Sequence, residues 1–258
     1  MKVFRLDNRT SSVKEQVETS VTAVGFFDGV HTGHRKVMMK AKEMAEKEGR
    51  KWGVMTFDPH PSVVLKGVEN AQYLTPLPVK EKLIEELGAD YLFIVPFTKE
   101  LASLSPQTFV DEYFAGLRIA HVVAGFDFSF GHKGKGNMDI IDQLADGRFT
   151  SSTVEEFQEG SEKVSSTRIR KLLDEGEVNA ANELLGRSYV IYAKPAGAGE
   201  LEIPLHYHHP EDGEYEVEVD GERGRAVVKG SRIEWKNGCN RNEGDVPVHF
   251  LEELRKQP

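Results

Sequence analysis

An apolar stretch from Val21 to Phe27 runs directly into Asp28-Gly29-Val30-His31-Thr32-Gly33-His34, and a helix-like segment, Val37 to Glu48, follows. A strand that turns at once into a helix, with glycines at the turn, is the unit from which parallel α/β sheets are assembled. The same junction sets unpaired N–H groups and the positive end of a helix at the carboxyl end of a strand, where phosphates are held. Two imidazoles there add hydrogen-bond donors for a crowded anion, and Gly33 lets the backbone approach a ligand closely. A His-x-x-His pair taken alone reads rather as two solvated residues at a helix start. Its position after a strand, inside Phe-Asp-Gly-Val-His-Thr-Gly-His, makes it a candidate site.

The rhythm continues along the chain. Trp52–Phe57 is a second apolar run, stopped by Asp58-Pro59-His60-Pro61, which neither strand nor helix passes easily. Pro78–Leu87 has helical spacing and stops at Gly88, and Tyr91–Pro96 is a short strand. Ser105-Pro106 opens a helix to about Phe114, with serine as cap and proline in the first turn. His121–Gly125 is a strand leading into Phe126-Asp127-Phe128-Ser129-Phe130-Gly131. Met138–Leu144 is expected to be helical, Val154–Phe157 a last strand and Ser166–Glu175 a helix. Strands alternating with helices imply a parallel sheet whose binding crevice lies at the carboxyl ends of its strands.

Beyond Leu185-Gly186 the pattern changes. Tyr189–Ala193, Leu201–His208, Tyr215–Val219, Arg225–Val228 and Ile233–Trp235 are short and separated by turn residues, as in an antiparallel β module. Val248–Lys256 reads as a closing helix. The expected fold class is α/β: a Rossmann-like parallel-sheet domain, residues 1–186, followed by a small antiparallel β domain, residues 187–258.

Composition bounds the partners. A net charge of −9 gives no broad basic face, so nucleic acid is not an expected partner, while a local basic pocket for a small phosphorylated ligand is compatible with it. No run approaches a membrane span, and Met1 to Asp7 has no signal-like apolar core. The single cysteine, Cys239, excludes an intramolecular disulfide and a cysteine-based zinc site and suits a reducing compartment, so a cytoplasmic location is expected. The oligomeric state is not read from the sequence.

The histidine loop resembles that of the HxGH nucleotidyltransferases, which transfer a nucleotidyl group from a nucleoside triphosphate and release pyrophosphate. Four motifs in order narrow the resemblance: Gly25-Phe26-Phe27-Asp28-Gly29-Val30-His31-Thr32-Gly33-His34, Phe57-Asp58-Pro59-His60-Pro61, Gly125-Phe126-Asp127-Phe128-Ser129-Phe130-Gly131 and Val164-Ser165-Ser166-Thr167-Arg168-Ile169-Arg170. Over about residues 18–190 the chain resembles the FMN adenylyltransferase (FAD synthetase) module of bacterial bifunctional riboflavin kinase/FAD synthetases. Leu74-Thr75, Leu104 to Val110 and Ala181 to Arg187 are similar to that family too.

The resemblance implies that FMN and ATP are the substrates, FAD and pyrophosphate the products, and Mg²⁺ the ion that neutralises the leaving group, with no cage of protein ligands for it. His31, His34 and Arg170 are then the catalytic residues. Gly25, Phe26, Phe27, Asp28, Gly33, Asp127, Lys163, Ser166 and Thr167 are expected around ATP, and Phe57, Asp58, His60 and Phe128 around FMN. Residue chemistry alone leaves other readings open. Arg170 is also a surface arginine one turn past an N-cap, Asp127 a turn aspartate, Phe128 and Phe130 core residues, and His60 a rigid-turn residue. Asp28 either orients the histidine loop or serves Mg²⁺ through water. His132 to Asn137 is a phosphate lid or a solvated loop. His206 and His208 fall on one face of an alternating strand and, with His209, read as solvated.

Two departures stand out. Phe26 occupies a position where many relatives have a small or polar residue. The kinase module's Pro-Thr-Ala-Asn motif is absent, and Ala196-Gly197-Ala198-Gly199 runs straight into a strand-like stretch, although Pro210 to Val219 resembles a strand of the kinase barrel. Residues 187–258 are therefore expected to form a shortened relative of that barrel, too small for a complete barrel with its own cavity and without riboflavin kinase activity. The alternatives are an HxGH enzyme for another phosphorylated acceptor and a non-enzymatic flavin-nucleotide binding or regulatory protein.

Overall fold

The computed structural model describes residues 1–6, 11–159, 162–197, 199–236 and 244–256. Cys239 and Ala198 lie outside the described residues. Six strands make one sheet, in the order Lys2–Arg5, Tyr91–Pro96, Lys51–Asp58, Ser20–Val24, Ile119–Gly125, Thr150–Val154. Every pairing in it is parallel. From Ser20–Val24 the chain builds outward first on one side and then, beginning with Ile119–Gly125, on the other. The carboxyl ends of these two adjacent strands mark the topological switch point, where open α/β sheets bind ligands. The sequence motifs Gly25 to His34 and Gly125 to Gly131 leave from those two ends.

The strands form because their interiors are almost continuously apolar. Val21, Ala23, Val54, Met55, Leu92, Phe93, Val95, Val122 and Val123 are all fully buried, as in a sheet covered on both faces. The helix after the histidine loop spans Thr32–Glu48 and buries Val37, Met38, Ala41 and Ala45, one stripe at helical spacing. Ser105 caps its helix, accepting from the Thr108 amide at 3.0 Å; Pro106–Phe109 then passes into a π turn, Val110–Ala115. The helix expected at Met138–Leu144 is Ile141–Ala145. The last strand of the sheet is Thr150–Val154 rather than Val154–Phe157. It is a half-exposed edge strand, Thr-Ser-Ser-Thr-Val, whose polar side chains give no apolar signal.

The antiparallel strands close into a barrel in the order Tyr189–Gly197, Glu200–Glu202, Arg232–Trp235, Glu222–Lys229, Gly213–Val219, Val246–Lys256. This corrects three expectations. The barrel is complete, because six short strands enclose a core of side chains and need no ligand cavity. Val246–Lys256 is its closing strand and not a helix. Val246, Val248 and Phe250 alternate inward and are fully buried, and this strand pairs with both Tyr189–Gly197 and Gly213–Val219, so partner strands override the helix propensity of Leu251-Glu252-Glu253-Leu254. Leu201–His208 is a strand only over Glu200–Glu202; after Pro204 the chain leaves the ladder, so His206 and His208 do not share a strand face.

By internal contacts the chain divides into two compact units. One comprises Met1–Phe27, Gly33–Ala71 and Leu77–Phe157 and carries the parallel sheet. The other comprises Asp28–Thr32, Gln72–Pro76 and Gln158–Pro258; it carries the barrel, the helices Ser166–Asp174 and Val178–Leu185, and two short segments drawn from the first half of the chain. Among the described residues no helix is long and apolar enough to cross a membrane.

Candidate active site

The histidine loop is wound tightly. Phe27 (φ 56°), Gly29 (φ 92°) and Val30 (φ 43°) all have left-handed backbone. For β-branched Val30 that conformation costs on the order of 1–3 kcal/mol, and it persists only where surrounding bonds over-determine it. Those bonds converge on Asp28, which is buried. One of its carboxylate oxygens accepts from the Thr75 amide at 2.9 Å and lies 3.4 Å from the Thr75 hydroxyl. The other accepts from the Leu74 amide at 3.1 Å and from the Arg170 guanidinium, with which it forms an ion pair. The Thr75 hydroxyl also takes the Gly29 amide at 2.7 Å.

The helix Ser166–Asp174 starts beside the same loop. Its cap is Ser165, which accepts from the Arg168 amide at 3.2 Å. The Ser166 hydroxyl donates to the Asp28 carbonyl at 2.8 Å, so its proton is committed to the loop, while Thr167 is exposed. Just past the end of the next helix, Val178–Leu185, Arg187 donates to the Gly29 carbonyl at 3.0 Å, and within that helix the Leu184 carbonyl accepts from Thr32 at 3.0 Å. Gly186 has φ 66°, and a Cβ there would sit 3.0 Å from the Thr32 methyl, so this close approach requires glycine.

His31 is buried within this network. Burial pushes its pKa down to about 4; Asp28 opposes that shift and Lys163 adds to it. The imidazole is therefore neutral at pH 7. Lys163 is exposed on a two-residue ribbon and reaches His31 through its field. Thus Asp28, His31, Lys163, Ser166 and Arg170, far apart in sequence, belong to one assembly in the barrel-bearing unit.

A second group lies in the sheet-bearing unit. The Phe26 and His60 rings meet edge to face with their centroids 4.4 Å apart, and the Phe26 carbonyl accepts from Thr56 at 2.8 Å and Lys80 at 2.6 Å. The Lys80 ammonium is buried 4.1 Å over the Phe26 ring, a cation–π contact. Phe27 packs against His34 at 5.3 Å, and a Cβ on Gly25 would fall 2.8 Å from the Phe27 ring. His60 caps the short helix Pro61–Lys66 by accepting from the Ser62 amide at 3.1 Å. Phe57 is buried in the core and Asp58 is exposed at the end of its strand. Asp127 is exposed in the turn closed by Phe128 N–H to Gly125 carbonyl at 3.0 Å. Phe128 stacks on buried Phe130 at 5.7 Å and packs on the core. Lys80 escaped the sequence reading. It sits between Val79 and the stripe of Leu83 and Ile84, so a lysine inside an apolar helical period was its signal.

A doubly wound parallel sheet with a histidine loop at its switch point, followed by a closed antiparallel barrel, defines the Rossmann-like α/β class of HxGH type. Comparison narrows it further: the FAD synthetase family model matches residues 13–168, and the chain belongs to that family. It is 49% identical over 170 residues to the bifunctional riboflavin kinase/FMN adenylyltransferase of Listeria monocytogenes, covering 66% of this chain and 54% of that one. To the Bacillus subtilis protein of the same name it is 45% identical over 192 residues, covering 74% and 61%. To a Listeria monocytogenes protein named FAD synthetase it is 32% identical over 186 residues, covering 70% and 74%. The chain thus spans little more than half the length of the first two relatives. The same fold, at TM-score 0.86 and 24% identity, is found in a crystal structure titled as a macrolide-efflux protein from Streptococcus pneumoniae, over 100% of this chain and 92% of that one.

Proposed function

We propose that the chain transfers AMP from ATP to FMN, giving FAD and pyrophosphate, and that it does not phosphorylate riboflavin. The observation that carries this reading is the Asp28-centred assembly: a buried neutral His31 and a tethered Arg170 held in one unit by motifs that occur in family order. The FMN phosphate is already a nucleophile, so the chemistry needs no strong base. Its barrier is charge, since an anion must attack the α-phosphate while pyrophosphate leaves, and such barriers fall to positioning and preorganised donors. His31 and His34 each donate a ring N–H to the phosphates, a donor that a neutral imidazole also supplies. Arg170 pairs with the leaving pyrophosphate. Gly25, Phe26, Phe27, Asp28, Gly33, Asp127, Lys163, Ser166 and Thr167 are assigned to the ATP side, Asp28 as the anchor of the loop. Phe57, Asp58, His60 and Phe128 are assigned to the FMN side.

Mg²⁺ enters with ATP, as part of the substrate. Among the described residues no group of three or more His, Cys, Asp or Glu could hold a metal, and both Asp28 oxygens already carry donors. Residues 1–186 are assigned to nucleotidyl transfer and 187–258 to a kinase-like barrel without kinase chemistry, in the cytoplasm. The strand register supports the second assignment. Gly197 pairs directly with Glu200, where a phosphate-wrapping loop would have to open. The test is purified protein with ATP, Mg²⁺ and either FMN or riboflavin, the flavins then separated by chromatography. FAD from FMN, with riboflavin unchanged, is the expected result. FMN formed from riboflavin overturns the second claim, and nucleotidyl transfer only to another phosphomonoester overturns the first.

A further inference from the structure

We infer that the crossover between two barrel strands, residues 203–212, positions Arg170, with His208 as its positioning residue. The inference rests on the reading of Arg170 as a phosphate ligand. Sequence analysis left the three histidines here as solvated, yet the His208 side chain is only 13% exposed, and its Nε2 lies 2.9 Å from the Asp174 carboxylate. The ring also meets the backbone of Arg170, one turn earlier on the same helix. The crossover grips that helix again where the Glu211 amide donates to the Leu173 carbonyl at 2.9 Å. Tyr189 donates its hydroxyl to the His208 carbonyl, fixing the crossover to the barrel wall.

The same crossover holds the other half of the Asp28–Arg170 pair. Tyr73 donates its amide to the His206 carbonyl at 2.8 Å and accepts from the His208 amide at 3.0 Å, a short parallel bridge centred on Tyr207. Tyr73 immediately precedes Leu74 and Thr75, whose amides hold the Asp28 carboxylate. One barrel segment therefore sets both the helix that bears Arg170 and the strand-like segment that bears the acceptors' donors. An arginine grips phosphate well only when its planar fork is pre-organised, since the free side chain carries about 2 kcal/mol of rotamer entropy. Asp28 fixes one end of the guanidinium, and the crossover fixes the backbone behind it.

The experiment uses the full chain and the variants His208→Ala, His208→Gln, Arg170→Ala and the double variant H208A/R170A. ATP affinity is read by calorimetry, and KM for ATP and for FMN by FAD formation. H208A should weaken ATP binding roughly 3- to 30-fold and leave the KM for FMN unchanged. H208Q, whose amide can reach Asp174, should recover part of the loss. In the R170A background H208A should add almost nothing, because the two residues act through one contact. Equal losses in both backgrounds, or unchanged ATP affinity in a folded H208A, overturn the inference. Should H208A fail to fold, Asp174→Asn on the exposed side of the pair carries the test, with a smaller loss of ATP affinity that again vanishes in R170A; a loss that persists there overturns it. If ATP binding follows this pattern but no FAD forms, the adenylyltransferase reading falls and the positioning role stands; FAD formation without the pattern is the reverse.

Discussion

In the sheet-bearing unit, strand residues such as Val21, Ala23, Val24 and Leu92 to Val95 are apolar and buried, and the core that covers them is rich in phenylalanine. In the barrel-bearing unit, the part around Asp28 is joined mainly by hydrogen bonds between three segments that are distant in sequence: Asp28–Thr32, Gln72–Pro76 and the two helices before the barrel. An apolar core tolerates small rearrangements, because dispersion and burial are non-directional. A polar network does not, since each buried donor that loses its acceptor costs the full desolvation of that group. The difference places stability in one unit and stability coupled to geometry in the other.

The largest effect should come from Asp28→Ala. Arg170 and the Leu74 and Thr75 amides lose their acceptor, so unfolding free energy should fall by about 3–5 kcal/mol, and FAD formation should fall with it. Ile141→Ala, a truncation in the sheet unit's core, should cost a comparable ~2–5 kcal/mol and leave the KM for ATP unchanged. Denaturant melts and steady-state kinetics on the two variants decide whether the contrast holds; equal kinetic damage would break it.

Next come His31→Ala and His34→Ala. Removing a preorganised donor costs about 2.7–4 kcal/mol of transition-state stabilisation, or 10²–10³ in kcat, with a smaller effect on FMN binding. Near-normal turnover in either variant would remove that histidine from the proposed role.

A third prediction is a stability change with pH. The His31 pKa falls from 6.5 in the unfolded chain to about 4 in the fold. Between these values the unfolded state binds the extra proton, so stability is complete above about 6.5 and is lost as pH falls toward 4. The His31 share is ~3 kcal/mol. Burial also lowers the pKa of His121, His206 and His208, giving slopes of the same sign. The difference between wild type and His31→Gln in denaturant midpoints at pH 7 and pH 4.5 isolates this residue; identical pH slopes would show that His31 is as solvated as the sequence alone allows.

The smallest effect is expected of Arg170→Lys. Charge survives but the fork does not, so the KM for ATP should rise less than in Arg170→Ala while staying above wild type. Wild-type ATP kinetics in the alanine variant would return Arg170 to the surface-arginine reading and make the Asp28 network purely structural.

Much of the fold was legible because its signals are local. Apolar runs bounded by glycine and proline located the inner strands, and Ser105-Pro106 marked a helix start by its own capping chemistry. The edge strand Thr150–Val154 was shifted because its side chains are polar, and the closing strand Val246–Lys256 was misread because helix propensity there loses to two partner strands. At the site, the sequence located the histidine loop and the Ser166–Arg170 helix. It missed Lys80, and it missed that Ser166 and Arg170 are both turned onto Asp28.

The sequence by itself determined the parallel α/β class, the strand-to-helix position of His31 and His34 and the change to antiparallel β after Gly186, since each follows from periodicity and turn chemistry within a few residues. Only the tertiary structure decided that the short strands close a barrel, that Asp28 is the hub of the loop and that His208 faces the Arg170 helix. These depend on contacts between segments tens to more than a hundred residues apart, and such contacts are chosen by burial and donor–acceptor satisfaction over the whole fold rather than by any neighbouring residue.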